Sequence, residues 1–68
     1  MKAVSGKSFA RLLEKRGWEL ARVNGSHYIY IKTGRLERIS IPVHKNKSLK
    51  IGLQRSLMRI ADIGEQEL

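Results

Sequence analysis

Apolar residues change rhythm along this chain, and each rhythm predicts an element. Phe9, Leu12 and Leu13 return at helical spacing and form one stripe. Ser5 stands at the N-cap position, with Val4 before it and Phe9 after it at the spacing of a hydrophobic staple. Lys15 and Arg16 suit the negative end of the helix dipole, and Gly17 suits the left-handed residue that follows a helix. A first helix is therefore expected to stop at Gly17.

From Trp18 the period shortens to two. Trp18 and Leu20 alternate with Glu19, and Ala21 and Val23 continue on the other parity, which predicts a strand with a bulge. Asn24-Gly25 is the expected hairpin turn, because both residues tolerate positive φ. His27 to Lys32, rich in β-branched and aromatic residues, is the expected middle strand, and Thr33-Gly34-Arg35 supplies a second turn. Ile39, Ile41 and Val43 alternate with Arg38 and Ser40 in a third strand, and Pro42 marks an edge or a strand end. His44 to Lys50 reads as a polar, basic connection. Leu53, Leu57, Ile60 and Ala61 then recur as one face of a second helix. Gly64 is its stop signal, and the acidic residues 64–68 are expected to fray. The order is α-β-β-β-α, an α+β fold with a three-stranded antiparallel sheet and both helices on one face. Three strands need such a cover to be stable. With 68 residues the chain makes one domain, residues 1–68, with one small core.

Composition narrows the function. Without cysteine there is no disulfide framework, thiolate nucleophile or sulfur-bound zinc. No run of residues approaches the ~20 apolar positions of a membrane span, and no apolar h-region follows the first residues, so a cytoplasmic protein is expected. Charge is the strongest compositional signal: 14 Lys and Arg oppose 6 Asp and Glu, a net +8. Three of the acids, Asp62, Glu65 and Glu67, sit near the carboxyl end, which leaves the rest of the chain more basic still. Such a body attracts polyanions, nucleic acid first, with an acidic protein partner or a simply solvated surface as the alternatives.

Two histidines carry the candidate chemistry. His27 opens the expected middle strand beside the Gly25-Ser26 segment, and His44 follows the third strand. RNA contains its own nucleophile, the 2′-hydroxyl, so cleavage needs a general base, a general acid and stabilisation of charge on the phosphate. An unperturbed imidazole, with a pKa of ~6.5, suits the first two tasks. His27 is the first candidate and His44 a candidate second acid or base; either is otherwise an ordinary strand or loop residue. Ser26 is placed to bond a phosphate or to complete the turn. Two histidines without neighbouring carboxylates do not make a metal shell, so no metal or other cofactor is expected. Tyr28 and Tyr30 share one strand parity and His27, Ile29 and Ile31 the other, and period two alone does not say which set is buried. Trp18 is expected in the core.

The strings Leu12-Leu13-Glu14-Lys15-Arg16-Gly17-Trp18, Gly25-Ser26-His27, Ile39-Ser40-Ile41-Pro42 and Arg55-Ser56-Leu57, taken in order, resemble the HicA (YcfA-like) family of toxin–antitoxin ribonucleases. The resemblance runs from about Ser5 to Ile63 and departs from the family pattern at Leu53-Gln54, where many members carry Thr-Leu. It implies a double-stranded-RNA-binding-like fold, cleavage of mRNA that blocks translation, and neutralisation by a HicB-type antitoxin. It also places the catalytic histidine on His27, with Gly25 supporting the turn that presents it. In that setting Arg22, Lys32, Lys45, Lys47, Lys50 and Arg55 are the expected phosphate contacts. The alternative is a non-catalytic RNA-binding module that uses the same basic face.

Overall fold

The computed structural model describes residues 1–68 and has the expected element order. Helix α1 spans Gly6–Lys15, strands β1, β2 and β3 span Glu19–Asn24, His27–Ile31 and Ile39–Pro42, and helix α2 spans Ile51–Ala61. The sheet is an antiparallel meander in the order β1-β2-β3. Its β1-β2 register slips between Leu20 and Arg22, which makes Ala21 the bulge.

Helix α1 starts as its sequence dictates. The Ser5 hydroxyl accepts the Ser8 amide at 3.0 Å, and Val4 and Phe9 are both buried. Gly17 follows with φ +92. At the other end of the helix axis Gly6 lies tight against the backbone of β3. A Cβ there would lie 2.2 Å from the Pro42 carbonyl oxygen, so glycine is what lets the first turn of α1 press on the end of β3.

Register decides which face of the sheet is covered. Tyr30 pairs with Ile39 and Tyr28 with Ile41, so these four side chains share a face. Tyr30, Ile39 and Ile41 are almost completely buried, in one cluster with Phe9 and Leu13 of α1, Trp18, and Leu57, Met58 and Ala61 of α2. His27 and Ile31, on the other parity, are exposed. Both helices therefore cover the tyrosine face and leave the histidine face open.

Helix α2 is rotated relative to the expected stripe. Leu53 is exposed, and the inward face is Gln54, Leu57, Met58 and Ala61. A fully buried glutamine is stable here because its amide is satisfied twice: Oε1 accepts the Val4 amide at 3.0 Å and Nε2 donates to the Lys2 carbonyl at 2.7 Å. The connection before α2 is also less polar than expected. Leu49 is buried, its amide donates to the Val4 carbonyl at 2.8 Å, and Ser48 forms an isolated antiparallel bridge with Ser5.

Two arginines hold the far end of α2. Arg35 donates to the Ile60 carbonyl at 2.7 Å and Arg16 to that of Asp62, the left-handed residue after the helix. Arg35 also lies 5.6 Å from the centre of the Trp18 ring, whose buried Nε1 has no hydrogen-bond partner. Its hydrogen bond to Glu37 holds that carboxyl below the usual glutamate range. Residues 64–68, expected to fray, instead turn back as a 3-10 segment, Glu65–Glu67. The Glu67 carboxylate accepts the Gly64 amide at 3.0 Å and pairs with Arg16 at 3.4 Å. The Arg16 contact joins the acidic end to the α1 terminus.

Replacing Gln54 with leucine keeps the volume and removes both hydrogen bonds, leaving the Val4 amide buried without an acceptor. Gln54→Leu should lower unfolding free energy by about 1–3 kcal/mol, read as a lower urea midpoint at unchanged slope. An unchanged midpoint would show that the N-terminal segment is not held through this amide.

Candidate active site

The hairpin between β1 and β2 is one residue out of phase with its sequence signature. Asn24 stays in the ladder, paired with His27, and the two loop residues are Gly25 and Ser26 rather than Asn24 and Gly25. Only Gly25 has positive φ, +62, as a turn with glycine at its first central position requires. No atom lies within 4 Å of where a Gly25 Cβ would sit, so backbone conformation and not crowding calls for glycine.

This turn sets His27 at the head of β2, exposed on the open face. On that face its cross-strand neighbours are Asn24 of β1 and Pro42 of β3, and Arg22 lies opposite Ile29 one step further along. The Val43 amide donates to the Ser26 carbonyl at 2.7 Å. Antiparallel pairs alternate, so the adjacent His27-Pro42 pair is one of the non-hydrogen-bonded kind, with Cα atoms ~4.5 Å apart. Proline, which has no amide to donate, fits this position and sits close to the imidazole.

His44 comes to the same turn from β3. Its Nε2 lies 3.2 Å from the Ser26 hydroxyl, and its carbonyl accepts the Lys47 amide at 2.9 Å. Beside it is a cleft of about 160 Å³ lined by Pro42, His44, Lys47, Ser48, Leu49, Lys50 and Leu53. Lys50 is also the N-cap of α2, where no side chain caps the first-turn amides and no acid lies in the first turn. Two ammonium groups and an uncapped helix N-terminus thus surround a surface that also carries an imidazole, an arrangement suited to an anion.

The structure divides the other expected contacts. Lys47 and Lys50 join His44 at the cleft, and Arg22 shares the open face with His27. Lys45, whose φ is +50, lines a different depression with Tyr28 and Val43 on the opposite side of the loop. Lys32 lies past the far end of β2, roughly 16 Å of strand from His27, where its side chain approaches Gly17. Arg55 faces away from the cleft, beside Met1, Arg59 and Asp62. Sequence reads Pro42 as a strand end and Leu53 as a residue of the second helix's apolar face, not as residues of the site. Pro42's role as partner of His27 follows from register, and Leu53's exposure from the rotation of α2.

Tyr30, under the second depression, donates to the Glu14 carboxylate at 2.8 Å. Burial raises its pKa well above the ordinary tyrosine value, and the hydrogen bond to Glu14 and its negative charge add to the shift.

A small, strongly basic α+β domain with two histidines converging on one hairpin turn is the class that fold and site define. A sequence model described as the HicA toxin of bacterial toxin–antitoxin systems matches residues 6–63, and the chain belongs to that family. Membership makes it the toxin member of a pair and implies an antitoxin partner. Comparison with individual curated proteins gave no match. No helix is long and apolar enough to cross a membrane.

Because the fold favours the protonated phenol, the contribution of Tyr30 is complete below the ordinary tyrosine pKa of ~10 and is lost as pH rises above it. Chemical denaturation at pH 7 to 11 should therefore show stability falling above about pH 10. Tyr30→Phe should cost about 1 kcal/mol at neutral pH and flatten that alkaline slope; an equally steep slope in the variant would assign it to other groups.

Proposed function

We propose that this HicA toxin is a metal-independent endoribonuclease in which His27 is a catalytic acid or base and mRNA is the substrate. The observation that carries the reading is the meeting of His27, Ser26 and His44 at one turn, beside a cleft that presents Lys47 and Lys50. RNA cleavage by its own 2′-hydroxyl needs two proton transfers and charge stabilisation, and these groups supply both.

In this mechanism one imidazole takes the proton from the 2′-hydroxyl as that oxygen attacks phosphorus. The O2′–P bond forms, the P–O5′ bond breaks, and the leaving 5′-oxygen takes a proton from the second acid. The products are a 2′,3′-cyclic phosphate and a 5′-hydroxyl. His44 is the complement of His27, oriented by the Ser26 hydroxyl. Lys47, Lys50 and the first-turn amides of α2 stabilise the charge that builds on the phosphoryl oxygens. Arg22, on the same face as His27, holds the strand beyond it. The antitoxin, on this reading of the HicB type, neutralises the toxin.

Wild-type protein should cut RNA with EDTA present and leave cyclic-phosphate ends. His27→Ala should reduce the rate by about 100-fold or more, the usual scale for losing one general acid–base group. Full activity in His27→Ala would remove this residue from the mechanism, and loss of wild-type activity in EDTA would point to a metal. Salt-sensitive binding without any cleavage would instead identify a non-catalytic RNA-binding module. His44→Ala should fall into the same range as His27→Ala, whereas an unaffected His44→Ala would leave His27 with a different partner.

A further inference from the structure

A second depression, of about 480 Å³, opens on the helix-covered side of the sheet, between α1 and β2. The 43–47 loop separates it from the histidine cleft: His44 lines one cavity and the next residue, Lys45, lines the other. Its floor includes the half-buried Tyr28 and Val43, and Val23, the cross-strand partner of Tyr28, is half exposed. Lys7 and Arg11, one helical turn apart on α1, form one wall with Lys45 opposite. Glu14 is the one acid there, and its carboxylate already accepts the Tyr30 hydroxyl.

We propose that this groove is a nucleotide subsite, holding an unpaired nucleotide of the RNA strand after it has crossed the 43–47 loop from the histidine cleft. Its base lies against Tyr28 and its phosphates lie among Lys7, Arg11 and Lys45. Three cations against the single carboxylate of Glu14 leave the groove net positive, which selects a polyanion. An accessible phenol ring between them selects a polyanion whose repeat unit carries a flat, stackable group, which favours single-stranded nucleic acid over an acidic protein segment. A strand that passes over the 43–47 loop contacts the cleft through Lys47 and the groove through Lys45. The inference rests on RNA being the substrate and adds how the strand flanking the cut is gripped.

The test uses a single-stranded 2′-O-methyl oligonucleotide, which lacks the nucleophile and is not cut, with affinity read by fluorescence anisotropy at several salt concentrations. Lys7→Glu and Arg11→Glu should each weaken binding by about tenfold or more and reduce the salt slope by about one. Tyr28→Leu, which keeps an apolar floor, should weaken it by about tenfold at unchanged salt slope. Arg59→Glu, an equal charge change on the outer surface of α2, should leave affinity within about twofold. An oligonucleotide carrying 5-iodouracil should photocrosslink to Tyr28. Equal losses in Arg11→Glu and Arg59→Glu, or crosslinks elsewhere, would overturn the groove in favour of diffuse charge. Unchanged affinity with lost neutralisation by the antitoxin would overturn it in favour of a protein partner. Since binding is read without cleavage, a protein that grips the oligonucleotide here but cuts no RNA removes the nuclease reading and leaves the subsite.

Discussion

The hydrogen bond from the Val43 amide to the Ser26 carbonyl joins the hairpin that carries His27 to the segment that carries His44. It continues the β2-β3 ladder one step beyond Pro42, which has no amide of its own to contribute. It extends the pairing past the proline, so that Ser26 and His44, in contact through the Ser26 hydroxyl and His44 Nε2 at 3.2 Å, are carried on one ladder. The same proline meets α1, because its carbonyl oxygen occupies the space a side chain at Gly6 would need. One strand end thus relates the first helix, the turn and both histidines, and the geometry of the site is a property of backbone pairing more than of side-chain packing.

The lysines depend on a more distant constraint. Lys47 and Lys50 belong to a connection with little regular structure of its own, and the amino-terminal segment fixes it through the Ser5-Ser48 bridge and the Leu49 amide on the Val4 carbonyl. That segment is in turn held by Gln54. Gln54 thus stands fully buried beside the apolar core with its amide satisfied by two backbone hydrogen bonds. Leu53 is left at the rim of the cleft.

Much of the fold was legible because its signals were local. The Ser5 cap, the Gly17 stop, the bulge after Leu20 and the place of Pro42 each follow from a few adjacent residues, and each appears where expected. What sequence could not read was phase and remote partnership. The turn moved by one residue, with Asn24 paired to His27 in the ladder and Gly25 taking the positive φ at the first loop position. The stripe of α2 rotated because the groups that satisfy Gln54 lie some fifty positions away. The sheet's buried face, undecided by alternation, was set by Tyr30 packing with Phe9 and Leu13. Within the site, His27 and its turn were visible as a motif. The meeting of His44 with Ser26 was not, since no spacing rule encodes a contact across strands, and the expected phosphate contacts scattered because charge alone carries no direction.

The bulge at Ala21 also bears on how such a chain avoids associating with copies of itself. Strand β1 is exposed along its whole length, and it carries Leu20 and Val23. A straight, half-apolar border of this kind is an open template for strand addition. The slipped register breaks it into two residues before Ala21 and three after, and the local twist that a bulge imposes keeps an incoming strand from following both parts in step. A single extra residue in β1 thus acts as a guard against aggregation, at the border farthest from β3, Pro42 and α2.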